Sequence, residues 1–265
     1  MLNVENLFKQ YIFRDPQGRK AVVKAVDNVS FSLEENQSYS LVGESGSGKS
    51  TLARLLMYLE KPTSGVIKID GVNLAQMSKR ELRNKRARWQ MVMQDGQSSL
   101  DPKVKIYDSI AEPMRNFYKM TKNEEKQRIE TLTNMVELPP EILGRLPHEL
   151  SGGQQKRVSI ARAISVKPRF IIFDEAVSGL DVTVRKKILD LLLRLRDEIR
   201  SAYLFITHDI DVALYMARNI MVMKDGRILE RIENISTLEE FKHDYSKLLI
   251  NSLPPRTPEY RQALL

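Results

Sequence analysis

The nine residues Gly43-Glu-Ser-Gly-Ser-Gly48-Lys49-Ser50-Thr51 constrain this chain more than any other stretch. They match G-x-x-x-x-G-K-[ST], a loop whose backbone N–H groups cup phosphate oxygens. An apolar strand, Tyr39–Val42, precedes the loop, and a helical pattern, Thr51–Leu59, follows it. Glycines let the backbone turn its amides inward, and a helix N-terminus adds partial positive charge. Lys49 has the reach for β- and γ-phosphates, and Ser50 has the hydroxyl to ligate Mg²⁺. The candidate nucleotide contacts are Gly43, Ser45, Gly46, Gly48, Lys49, Ser50 and Thr51, with ATP and Mg²⁺ as the expected cofactors. A bare Gly/Ser turn is the bland alternative, but a chance match in a chain this long is on the order of one in a hundred.

Three further features gain meaning beside that loop. Phe170-Ile-Ile-Phe173 is an apolar strand running into Asp174 and Glu175. Alone, it is an ordinary strand with an acidic turn. Next to a phosphate loop, Asp174 can hold Mg²⁺ and Glu175 can orient and deprotonate the attacking water. His208 follows the apolar run Tyr203–Thr207, where strand ends of an α/β core meet ligands. A lone His in such a turn is more often structural; just past a strand end it is also a candidate γ-phosphate contact. Leu150-Ser-Gly-Gly-Gln154 opens a helical stretch and offers a second helix N-terminus with small residues. A helix cap at Ser151 explains it plainly. The sharper reading is that it closes on a nucleotide held by a partner subunit.

Short apolar runs alternate with helical patterns, which argues for an α/β layered core. Expected strands are 2–7, 26–33, 38–42, 66–70, 89–94, 170–173, 203–207 and 220–223, and Asp225-Gly226 signals a type I′ hairpin. The clearest helix is Val182–Arg200, with Val184, Ile188, Leu191, Leu195 and Ile199 in one stripe. From Gln94 to Leu150 the texture is helical, as in Asn123–Leu138, and reads as a subdomain inserted in the core. The tail ends in an irregular stretch holding Pro254, Pro255 and Pro258.

The net charge of +8 would suit an anionic partner, but the bland reading is a solvated basic surface. The densest basic run, Lys79–Arg88, reads as a surface helix, with Ser78 and Glu81 at capping-box spacing. With no cysteine, disulfides, thiolate metal sites and thiol catalysis are excluded. Three histidines make a metal cluster a poor expectation. No apolar run reaches the length of a membrane span, and no secretory signal is visible at the N-terminus.

Taken in order, these motifs resemble the ATP-binding subunits of ABC transporters: the phosphate loop (43–51), Gln94 after a strand, LSGGQ (150–154), the acidic strand (170–175), Ser-Gly-Leu-Asp (178–181) and His208. The resemblance covers about residues 1–235. It implies a P-loop ATPase fold of α/β class with an inserted helical subdomain (about 95–165) and an antiparallel β-subdomain. The remainder, 236–265, would be a short C-terminal extension. It also implies that Tyr11, with Phe13 as rival, stacks on adenine, and that Gln94 touches Mg²⁺ and the attacking water. Ser151, Gly153 and Gln154 would engage the nucleotide of the opposite subunit, and Asp181 would cross the dimer interface. The implied catalytic set is therefore Glu175, His208 and Gln94, and the metal set Ser50, Gln94 and Asp174. Three positions depart from the family's habit: Ala176 for Pro, Gly179 for Ala, and Gly96 for the Pro of Gln-Asp-Pro.

Gln94–Pro102 (QDGQSSLDP), Asp174–Asp181 (DEAVSGLD), Phe205–Asp209 (FITHD) and His243-Asp-Tyr245-Ser-Lys-Leu-Leu resemble most the ATPases of peptide and nickel importers. In the last segment Asp244 stands for the family's Pro. That resemblance implies peripheral placement on the cytoplasmic face of the cell membrane and a second ABC ATPase subunit, giving a heterodimer or homodimer. It also implies two permease subunits and, indirectly, an extracytoplasmic solute-binding protein, with no role for nucleic acid. The alternative is a soluble ABC ATPase acting on nucleic acid or ribosomes. Such proteins insert long coiled coils or carry two cassettes, whereas Lys49 and Ser151 are 102 positions apart and one cassette is present.

Overall fold

The computed structural model describes residues 1–14, 18–93 and 100–251. In chain order the first elements are β1 (Leu2–Arg14), β2 (Lys20–Leu33), β3 (Ser38–Val42), α1 (Lys49–Leu56), β4 (Ser64–Ile69) and β5 (Val72–Asn73). Next come α2 (Lys79–Lys85), β6 (Trp89–Val92), α3 (Ile106–Phe117), α4 (Lys122–Met135), α5 (Gly152–Ile164), β7 (Phe170–Asp174) and α6 (Val182–Ile199). The chain closes with β8 (Ala202–Thr207), α7 (Ile210–Met216), β9 (Asn219–Lys224), β10 (Arg227–Ile232) and α8 (Asp244–Asn251). It divides into one unit of residues 1–78 and 204–265 and another of residues 79–203.

The first unit holds an antiparallel sheet ordered β2-β1-β4-β5 and strands ordered β10-β9-β3-β8. β3 pairs parallel with β9, Tyr39 opposite Asn219 and Val42 opposite Val222. All five residues of β3 are buried, so side chains on both its faces are apolar or satisfied, as expected of an interior parallel strand. Ser40 meets that condition by donating to the carbonyl of Ala213, 2.8 Å away. At the β9–β10 turn Asp225 and Gly226 both have positive φ, 48° and 80°, the geometry the Asp-Gly pair foretold.

The strand expected at 2–7 runs on to Arg14 and pairs antiparallel with β2 as far as Arg14 opposite Lys20. Its outer arm leaves Ile12, Phe13, Val22 and Val23 about half exposed.

In the second unit β6 and β7 pair in parallel, and α3, α4 and α5 supply helices. The inner face of α3 and α4 is Ile106, Ile110, Met114, Ile129 and Leu132, all buried. Arg115 joins the two helices by donating to Glu125 at 2.7 Å and to Asp108 at 2.8 Å. That guanidinium, with a smaller part from the Tyr107 hydroxyl, holds the Glu125 carboxyl below its usual range. The basic run forms α2 followed by a 3₁₀ turn, and none of its residues is buried.

Leu41, the fourth residue of β3, has no exposed surface, and β3 delivers the phosphate loop. Leu41→Ala should therefore destabilise the protein by about 2–5 kcal/mol through lost transfer energy and a residual cavity. Urea unfolding should show a lower midpoint with an unchanged slope.

Candidate functional site

The loop after β3 is shaped by contacts that leave little room for side chains. Gly48, the residue before α1, has φ 105°, and a Cβ there would stand 2.1 Å from the carbonyl oxygen of Ala25. Both the conformation and the space exclude other residues. No side chain caps α1, and the partial positive charge of a helix N-terminus favours an anion.

Lys49 is 4% exposed. Its ammonium donates to the carbonyls of Gly43 and Glu44, each at 2.7 Å. A buried ammonium costs several kcal/mol unless it is hydrogen-bonded, and the loop's own carbonyls meet that requirement.

Tyr11 is partly buried on β1, and its hydroxyl donates to Glu60 at 2.5 Å. Glu60 also accepts from Arg54 on α1 at 2.6 Å, and Arg54 donates to Thr51 at 3.3 Å. The ammonium of Lys9 lies 5.1 Å from the centre of the Tyr11 ring. The Tyr11 hydroxyl and the Arg54 pair hold the Glu60 carboxyl below its ordinary value, although burial pulls the other way. One aromatic is thus fixed in place, whereas Phe13, two residues on and on the same side of the strand, is 49% exposed. His208 closes β8 in this unit and is exposed. The turn behind it is set by Asp209, whose carboxylate accepts from the amides of Asp211 and Val212.

In the second unit β7 is buried along its whole length and ends at Asp174, 6% exposed. Glu175 follows with φ 47°. The turn is closed by the amide of Ser178 donating to the carbonyl of Glu175 at 3.0 Å. Ala176 is buried. Gly179 has φ 72°, so the alanine common there would be strained in this backbone.

Ser151 caps α5 reciprocally: its hydroxyl accepts from the Gln154 amide and the Gln154 side chain accepts from the Ser151 amide at 3.0 Å. Ser151 and Gly152 are exposed. A Cβ on Gly153 would stand 2.8 Å from Val184 on α6, which makes glycine a packing requirement. Asp181 caps α6, accepting from the Val184 amide at 2.9 Å.

Sequence reasoning missed what pins this loop. Gln155 is buried and donates to the carbonyls of Pro147 and Leu150 at 2.9 and 3.2 Å. Lys156, 5% exposed, donates to the carbonyl of Met93 at 3.2 Å. Gln94 and Gly96 lie outside the described residues.

Among the described residues no group of three or more His, Asp or Glu side chains is arranged to hold a metal ion. Among the described residues no helix is long and apolar enough to cross a membrane.

The ABC transporter family profile matches residues 26–178. A probable peptide ABC transporter ATP-binding protein of Sinorhizobium fredii, y4tS, is 42% identical over 97% of this chain and 74% of its own length. The oligopeptide transport ATP-binding protein OppF of Lactococcus lactis is 40% identical over 96% of this chain and 80% of its own length. Among solved structures, the dimeric ATP-binding cassette MJ0796 bound to ADP and Pi in a post-hydrolysis state superposes with a TM-score of 0.80 at 30% identity. That likeness covers 89% of this chain and all of that one. The chain belongs to the ABC transporter family, as an ATP-binding, ATP-hydrolysing subunit.

Proposed function

We propose that this subunit powers peptide import, working beneath two permease subunits as one of a pair of cassettes on the cytoplasmic face of the membrane. The observation that carries this reading is the reach of the likeness. At 40–42% identity it runs over 259 and 260 residues, well past the 26–178 family core, in relatives named for peptide transport. In this reading residues 1–235 are the ATPase domain, with the helical insertion at about 95–165, and 236–265 are an extension.

Lys49 exchanges the carbonyls of Gly43 and Glu44 for phosphate oxygens when ATP binds, and the uncapped amides of α1 supply further donors. Tyr11, held by Glu60, stacks on adenine. The hydroxyl of Ser50, the carboxylate of Asp174 and the amide oxygen of Gln94 are hard oxygen donors with one charge among them. That donor set suits Mg²⁺, which favours few carboxylates together with water and phosphate oxygens. Once bound, the ion neutralises charge on the β- and γ-phosphates. Glu175 orients and deprotonates the attacking water, and His208 contacts the γ-phosphate. Ser151 and Gly153 serve the nucleotide of the opposite cassette, so ATP joins the two cassettes and hydrolysis releases them.

The test is reconstitution in vesicles with the co-purifying permeases, second cassette and solute-binding protein. Binding protein loaded with peptide should raise ATP turnover severalfold over binding protein alone. Stimulation by Ni²⁺-loaded binding protein instead would move the cargo to nickel. Stimulation by DNA at physiological salt, with none by either cargo, would favour the nucleic-acid alternative.

A further inference from the structure

The C-terminal segment His243-Asp-Tyr245-Ser-Lys-Leu-Leu has no part in the chemistry above, yet it is anchored on the phosphate loop. The amide of Glu44, the second residue of that loop, donates to the Tyr245 hydroxyl at 3.1 Å. The carbonyl of the same Glu44 accepts from the Lys49 ammonium at 2.7 Å. One loop residue thus carries both the phosphate-binding lysine and a tyrosine 201 positions away in sequence.

The tyrosine is seated with care for its geometry. Glu230 on β10 accepts from the amides of Lys242 and His243, at 2.6 and 3.1 Å. The His243 ring nitrogen Nδ1 accepts from the Tyr245 amide at 3.1 Å, which fixes the start of α8. Tyr245 and Leu249 then enter an apolar cluster with Val42, Val222, Ile235 and Phe241. Tyr245 is 7% exposed, and the Lys224 ammonium stands 4.5 Å from its ring centre. Val42, in the same cluster, is the last residue of β3 before the loop. The ring therefore packs under the end of the strand while its hydroxyl holds the first turn of the loop. Burial pushes the phenol's pKa up against the lowering effect of the Glu44 amide, with smaller raising contributions from the Glu44 carboxylate and Asp225. The oxygen is therefore a neutral hydroxyl near pH 7, with lone pairs to accept from Glu44.

We propose that Tyr245 is a positioning residue for the phosphate loop, so that the C-terminal helix sets the nucleotide affinity of the cassette. The proposal rests on the reading that Gly43–Thr51 holds ATP. A backbone amide without its acceptor is left to water or to a rearranged loop. Restoring the loop on binding then draws on the binding free energy.

The experiment compares Tyr245→Phe with Ile235→Ala in the full chain, measuring ATP affinity and hydrogen exchange of the 43–51 segment. Tyr245→Phe keeps the ring in its cluster and removes only the hydroxyl. Faster exchange in 43–51 without nucleotide, largely suppressed by saturating ATP, is expected, with about two- to tenfold weaker ATP binding. Ile235→Ala cuts the same cluster without touching the hydroxyl. It should lower the melting temperature and leave loop exchange and affinity at parent values. Parent-like exchange and affinity in Tyr245→Phe would overturn the proposal. So would an equal loop effect in Ile235→Ala, since the tyrosine would then act only through packing. A Lys49→Ala variant that binds ATP as the parent does would instead remove the loop reading itself, and the proposal with it.

Discussion

Glu175→Gln should lower kcat by about 10²–10⁴ while ATP is still bound. The substitution is nearly isosteric. Glu175 sits at φ 47° in a turn closed by the Ser178 amide, and neither feature depends on the carboxylate's charge. What is lost is the proton acceptor assigned to this position, so the effect should fall on kcat and spare the ATP dissociation constant. With hydrolysis blocked, ATP should also trap the paired form, visible as a nucleotide-dependent shift to dimer in gel filtration. Hydrolysis by Glu175→Gln at the parent rate would remove Glu175 from the role of base. Loss of binding and turnover together would mean that the turn itself had collapsed, which the melting temperature would reveal.

The features that depend on backbone chemistry were legible in the sequence. A glycine at φ 105° whose added Cβ would stand 2.1 Å from a carbonyl oxygen admits no other residue, so the loop motif announces its own geometry. The reciprocal Ser151–Gln154 cap likewise follows from residue types three apart. Elements whose support is distant in sequence were less legible. The outer arm of β1 carries charged Lys9 and Arg14 and exposed Ile12 and Phe13, so no alternation marks it; pairing with β2 creates it. Helix α3 contains Pro113, which reads as a breaker. Its buried positions Ile106, Ile110 and Met114 recur every four residues, and that signal could have located it. Helix α8 has eight residues, too few to be stable in isolation. The apolar cluster around Phe241 and Leu249 supplies its stability.

The same division holds within the candidate site. Motif and order single out the residues assigned to the chemistry, whereas what orients them is not encoded locally. Tyr11 reaches Glu60 across 49 residues, Lys156 reaches Met93 across 63, and Tyr245 reaches Glu44 across 201. Each joins a common residue type to a distant partner, and two of them end on a backbone atom whose identity no side chain encodes. Asp181 illustrates the opposite hazard. Its implied role at a dimer interface coexists with an observed local one, capping α6 through the Val184 amide, so its loss would be read at both places.

Gly153→Asp should leave ATP binding intact and lower hydrolysis by about 10²–10³. An aspartate here brings negative charge to the α5 N-terminus assigned to the opposite subunit's γ-phosphate, reversing what the helix end favours in an anion. Its Cβ also presses within 2.8 Å of Val184, so Gly153→Ala measures the packing share of the defect separately. The decisive measurement is mixing. In a twofold pair the same two patches occur twice. A pair made of one Gly153→Asp chain and one Glu175→Gln chain has one site with both defects and one site with neither. Two inactive preparations, combined at concentrations that favour pairing, should therefore regain hydrolysis, approaching about a quarter of the parent's rate on random pairing of equal amounts. If each chain instead completed its own site, every chain in the mixture would carry a defect and activity would stay at the level of the separate variants. Recovery of activity on mixing thus shows a site shared between two copies of this chain; where the chain pairs only with a different second cassette, splitting the two defects between this chain and that cassette makes the same distinction.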